Sequence, residues 1–173
     1  MGPFKISSTA GPLKWPDVCG FTNEAQLKSL NPQITGLKGK PVGKKSQIIG
    51  TGGKSTPFPT DCKFNLTTKF DTEDTSDNPS WVIISLTIAD TSGPEIFKES
   101  MSQAVKKFPG LPNGTTCFID SGNLMQCLTG NILYFINGVK NTGGDNFQAD
   151  QEKWVTEMDL PLAKVLATEL KST

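Results

Sequence analysis

Four cysteines, at positions 19, 62, 117 and 127, constrain this 173-residue chain more than any other feature. A structural zinc site needs close pairs such as C-x2-C, and no gap here is that short. A cysteine nucleophile needs a base, and the chain has no histidine. Lipid attachment at Cys19 would need small residues just before it, but "PDV" stands there. An even count without metal spacing points to two disulfides, with three pairings open. The residues around the second pair choose among them. Cys117 and Cys127 are equidistant from Gly122 in the turn "DSGN". A hairpin centred there sets them opposite each other. At a non-hydrogen-bonded position their Cα atoms would lie about 4.5 Å apart, inside the roughly 4.4–6.8 Å that a disulfide spans. Cys19 then pairs with Cys62, which ties a short helix to the first strong strand. Two such bonds belong outside a reducing cytosol.

The missing residue types narrow the function. All 17 basic residues are lysine, because the chain has no arginine as well as no histidine. An imidazole base, an imidazole metal ligand and a bidentate guanidinium fork are therefore all absent. No catalytic, cofactor or metal residue is assigned, and the chain is expected not to be an enzyme. The formal net charge is zero, without the positive excess that a general nucleic-acid binder uses against phosphate. The charge is nonetheless uneven. Residues 1–54 carry eight lysines against two acids, and residues 55–173 carry nine against fifteen. No apolar run approaches the ~18 residues of a membrane span. Residues 1–14 lack the apolar stretch of a signal peptide.

Residues 1–16 are rich in Ser, Gly, Pro and Thr and read as a flexible tether. One domain is expected over 17–173. Thr22 is placed to cap a helix carrying Ala25, Leu27 and Leu30, which Asn31-Pro32 stops. Residues 31–61, rich in Gly, Pro and Lys, read as a long irregular excursion; only 47–49 hint at a strand. Alternation then marks strands at 62–70 and in "SWVIISLTIAD", an antiparallel hairpin with the acidic tip "DTEDTSDN". Phe97, Met101, Ala104, Val105 and Phe108 fall on one helical face from Pro94 to Phe108. Three strands follow at 115–120, 124–129 and 131–139, with Gly130-Asn131 suited to a tight turn. Trp154, Met158, Leu162, Val165 and Leu166 form a helical stripe over 148–171 that Pro161 should kink. The order α, β-β, α, β-β-β, α predicts an α+β fold: an antiparallel sheet of about five strands flanked by helices.

"DVCGFTNEAQLKSL", a Gly/Pro-rich stretch and "CKFNL" resemble the opening of small actinobacterial, corynebacterial-type envelope lipoproteins of unknown function. Asp17, Cys19, Thr22, Cys62 and Phe64 carry the resemblance. Phe64 stands where Trp is commoner, and Gly20 where a larger residue is usual. The resemblance implies a secreted or lipid-anchored protein at the cell envelope, with no assigned catalysis. Membrane association would come only through a lost N-terminal anchor. The element order is also similar to the α/β/α sandwich of PsbP-like proteins.

Other motifs carry less. "GTGGKST" at 50–56 ends like a phosphate-binding loop, but Ile48 occupies the first glycine's place and no helix follows. Asp71, Glu73, Asp74 and Asp77 fail the calcium-loop pattern at Ser76 and Val82 and read as a solvated tip. Asn65 and Asn113 lie in Asn-x-Thr sequons. Trp81, Trp154, Tyr134 and Phe135 read as core. The expectation is a non-catalytic, extracytoplasmic module that binds an envelope protein, a lipid or a glycan. One alternative is a wall or glycan hydrolase working through carboxylates alone. The other is a secreted inhibitor or effector with a basic contact loop at Lys44, Lys45 and Lys54.

Overall fold

In this computed structural model, residues 4–6, 17–45, 59–69, 79–88, 93–130, 132–141 and 147–172 are described. Strict alternation of burial builds the sheet. In β4 (Asp61–Thr68) Cys62, Phe64, Leu66 and Thr68 are buried while their neighbours are half-exposed. β5 (Ser80–Ile88) pairs antiparallel to it, with Cys62 opposite Ile84 and Phe64 opposite Val82. β8 (Met125–Thr129) and β9 (Ile132–Val139) repeat the pattern, and β7 (Thr115–Ile119) departs from it only at Phe118, which is buried too. Because side chains alternate with period two, these strands turn one apolar face to the same core.

Among the described residues the sheet has eight strands, not five. The additions are β2 (Ile34–Leu37), β3 (Val42–Lys44) and β6 (Lys106–Leu111). The order is β2-β4-β5-β9-β8-β7-β6, and β3 shares the outer edge of β4 with β2. Thus part of the expected irregular excursion is sheet edge; its hinted strand at 47–49 lies outside the described residues. The expected helix over 94–108 is also shortened. α2 (Gly93–Ser102) ends six residues early, and the Val105 N–H passes to the Ile119 carbonyl at 2.9 Å. That bond enters the sheet, so Phe108 belongs to β6 and Val105 is left 72% exposed. Pro109, which cannot donate to a ladder, is tolerated because β6 is an edge strand.

Helix ends follow the side chains that can satisfy them. α1 (Glu24–Leu30) is capped by Asn23, one residue after the expected Thr22. Asn23 and Gln26 form a reciprocal capping box, which satisfies two otherwise orphaned N–H groups. The C-terminal helix runs as α3 (Phe147–Trp154), a π-turn (Val155–Asp159) and α4 (Leu160–Glu169). Pro161 has no N–H to give its preceding turn. The chain widens ahead of it, and Leu160 donates five residues back to Val155. Trp154, Met158, Leu162 and Leu166 are buried in the core with Leu27, Tyr134 and Ile136. The stripe therefore covers the sheet. Val165 is only half-buried. β10 (Leu170–Ser172) then pairs in parallel with β1 (Phe4–Ile6); the rest of 1–16 lies outside the described residues.

α1 and the C-terminal helix share the core face, while α2 lies on the other face, where Phe97 meets Phe118 with ring centroids 5.2 Å apart. Both disulfides form with the expected pairing. Cys19 and Cys62 have Cα atoms 5.2 Å apart. Cys117 and Cys127 face each other in register across β7 and β8 at 4.1 Å.

Candidate functional site

The β7–β8 hairpin is held by side-chain hydrogen bonds and a disulfide, and it walls a cleft. Asp120 builds it. Its Oδ1 accepts the N–H groups of Gly122 at 2.9 Å and Leu124 at 3.1 Å. Its Oδ2 accepts Gln126 Nε2 at 3.3 Å. Asn123 takes the left-handed conformation, φ 61°, which Asn tolerates better than most residues. The disulfide one turn below fixes the two strands. Opposite stand Glu99 and Ser100 of α2 and Gln103 just after it. Between them lies a cleft of about 610 Å³, with Phe118 at its floor and Asp120, Ser121 and Gln126 on the hairpin side.

Among the described residues, two carboxylates, two amides and two hydroxyls line this cleft, and no lysine does. Such groups offer many acceptors and several donors but no positive charge. The set suits a hydroxyl-rich, uncharged ligand. Glu99 and Asp120 are the two carboxylates on this lining. Three donors hold the Asp120 oxygens and fix the turn.

A second cleft of about 470 Å³ lies between β6, β7 and the π-turn, where Val105, Ile119 and Val155 meet Lys106 and Lys153. Asn123 reaches it too, so the stapled hairpin tip separates two clefts. A third, of about 370 Å³, adjoins Cys19, Thr22 and Glu169.

The strongest pKa shifts lie elsewhere. Asp159, in the π-turn, is fully buried; burial pushes its carboxyl up to about 8, against the opposing hydrogen bond from the Gly138 N–H. That N–H donates to Oδ2 at 3.3 Å. Asp159 Oδ1 and Trp154 Nε1 are buried with no hydrogen-bond partner among the described residues. Both crowd Gly138, where an added Cβ would sit 2.6 Å from Trp154 Nε1. Tyr134 is pushed up to about 12, mainly by burial; its hydroxyl donates to the Ala163 carbonyl at 3.3 Å. Asp159 lines none of these three clefts, so its perturbation reads as a property of the core.

The residues singled out from the sequence divide as follows. Lys44 and Lys45 are exposed on and beside β3. Lys54, the stretch 50–56, and Asp71, Glu73, Asp74 and Asp77 lie outside the described residues. Asn65 sits inside β4. Asn113 uses its side-chain nitrogen, the atom a glycan would take, to cap α4 through the Ala167 carbonyl at 2.7 Å. Trp154 and Tyr134 are fully buried. Trp81 and Phe135 depart from a core role: they stand half-exposed on the second sheet face, and Lys63 Nζ lies 5.1 Å from the Trp81 ring centroid. Glu99, Gln103, Asp120 and Gln126 escaped sequence reasoning. The one available signal was the Asp of "DSGN", a residue type that commonly ties a turn through its side chain.

Among the described residues no group of three or more metal-ligating side chains occurs, and no helix is long and apolar enough to cross a membrane. All four cysteines are bonded, as in a protein of an oxidising, extracytoplasmic compartment. No family model, no curated protein and no solved structure matches the chain.

Proposed function

We propose that the chain is a non-catalytic, extracytoplasmic module of the cell envelope that binds a neutral glycan in the cleft between α2 and the β7–β8 hairpin. One observation carries the reading: carboxylate, amide and hydroxyl groups converge there, with no cation among the described lining residues, around a turn that Asp120 and a disulfide hold rigid. A preformed polar site avoids the entropy of ordering its side chains on binding. Its volume falls in the roughly 300–1,000 Å³ range of small-ligand sites. Of the partner classes open from sequence, this lining favours glycan over lipid. The envelope setting is supported by the disulfides and by the resemblance to secreted or lipid-anchored actinobacterial proteins. The placement of α2 on one sheet face and the other helices on the opposite face supports the PsbP-like α/β/α reading of the layers.

The test is an NMR titration with two neutral oligosaccharides, a β-1,4-linked N-acetylglucosamine tetramer and maltotetraose. Amide shifts should concentrate on Glu99, Gln103 and residues 120–126, and Gln126→Ala should weaken binding severalfold. Shifts scattered elsewhere, or none with either sugar, would refute the assignment. Release of reducing ends that Glu99→Gln abolishes would establish the hydrolase reading instead.

A further inference from the structure

The two outer edges of the sheet differ. β6 is blunted: it contains Pro109, Gly110 at φ 75°, and a register shift between Phe108 and Leu111. Such irregularities keep other strands from adding. β3 has none of these. It pairs with β4 on one side, Val42 opposite Lys63 and Lys44 opposite Asp61, and no described strand pairs on its other side. Val42, Gly43, Lys44 and Lys45 are all exposed, Val42 to 59%.

This edge is also held from behind. Gly43 sits opposite Cys62, which is bonded to Cys19. A Cβ at Gly43 would lie 2.6 Å from Pro59 and 3.2 Å from Cys19 Sγ. The Lys44 carbonyl accepts the Thr60 N–H at 2.9 Å, and the Pro59 carbonyl accepts the Val18 N–H at 3.3 Å. The strand is therefore fixed in extended form before anything binds it.

Charge then selects what can add. Lys38, Lys40, Lys44 and Lys45 are exposed, and residues 36–45 include no acid. A second copy of the same edge would bring four more lysines against these, so self-pairing is opposed. The same charges favour an acidic strand, and strand addition supplies main-chain hydrogen bonds that charge alone does not. From this we infer that the β3 edge is a docking site for an extended acidic peptide, which pairs its backbone with Val42–Lys44 and sets its carboxylates against the four lysines. This surface is independent of the glycan cleft.

The experiment uses the full chain and three fluorescent dodecapeptides: an alternating Glu/Thr peptide, its Lys/Thr counterpart, and the Glu/Thr peptide N-methylated at every second residue. Fluorescence anisotropy should show binding of the first alone. N-methylation keeps the charge but removes half of the backbone donors, so it should cost at least tenfold in affinity. Amide shifts should map to 42–45, and binding should weaken as salt rises. The variant Lys38→Glu/Lys40→Glu/Lys44→Glu/Lys45→Glu should also lose at least tenfold. Equal binding of the N-methylated peptide would reduce the effect to charge and overturn the proposal. So would shifts on β6, no binding, or capture of phosphatidylglycerol vesicles through the same lysines without any binding of the peptide.

Discussion

Asp159→Asn tests the reading of the core most sharply. The carboxyl is fully buried in the π-turn and takes one backbone hydrogen bond, from Gly138. Its pKa rises from an ordinary 3.8 to about 8, chiefly by burial. The folded chain therefore keeps a proton that the unfolded chain has already released between those limits. A group raised on folding contributes stability that is full below its unfolded pKa and lost as pH rises through its folded pKa. The wild type should thus weaken from about pH 4 to about pH 8, by at most about 1.4 kcal/mol per pH unit. Over the whole window the loss is of order 5 kcal/mol, a large part of a typical 5–15 kcal/mol total. Glu24 shifts the opposite way, held low by its hydrogen bond and ion pair with Lys28. Its contribution fades as pH falls through the acid range, and so does not mimic the Asp159 effect. Asparagine keeps an acceptor for the Gly138 N–H and cannot titrate. Urea unfolding at pH 5, 6, 7 and 8, with the disulfides intact, should show a falling wild-type stability and a level Asn variant that exceeds it at pH 8. A level wild-type curve, or the same slope in both proteins, would refute the reasoning.

Two further outcomes are expected. Trp154→Ala removes a fully buried ring behind Gly138 and should cost about 3–5 kcal/mol; an unchanged melting midpoint would mean that the helix serves a partner rather than the core. Asn113 holds a left-handed φ of 55° and donates to the Ala167 carbonyl at the end of α4. Asn113→Ala should cost about 1–2 kcal/mol more than the lost hydrogen bond alone, whereas Asn113→Gly should lose little beyond that bond; equal losses in urea unfolding would show that the backbone conformation is immaterial.

The sequence was legible where a local pattern and tertiary packing agree. β4, β5, β8 and β9 alternate over five to nine residues, and Cys117 and Cys127 fix the register of β7 by their numbers alone. The short edges were not legible. β2 and β3 span four and three residues, too few to show a period, and their pairing with β4 is decided across the fold. The α2 stripe continued on paper to Phe108 because 3.6-residue spacing recurred by chance, while the strand partner that claims Val105 is Ile119, fourteen residues later. The candidate cleft was hidden for the same reason. Glu99 comes from a helix and Asp120 and Gln126 from a hairpin, and tertiary contacts such as Phe97 on Phe118 bring them together.

The β5–β9 pairing has a consequence for the order in which the chain can assemble. β2 to β5 join through neighbours early in the sequence, and β6 to β9 through neighbours late in it; the two sets meet along one seam, from Trp81 opposite Val139 to Ile88 opposite Ile132. Neither disulfide crosses that seam. The C-terminal helix does: Gln33 Nε2 donates to Glu157 at 3.0 Å from one side, and Asn113 to Ala167 from the other. Contacts between distant segments form slowly, and a chain emerging from its N-terminus presents these after both sides of the seam. Each disulfide therefore closes within one side of the seam, and the C-terminal helix, which follows both sides in the chain, clasps it.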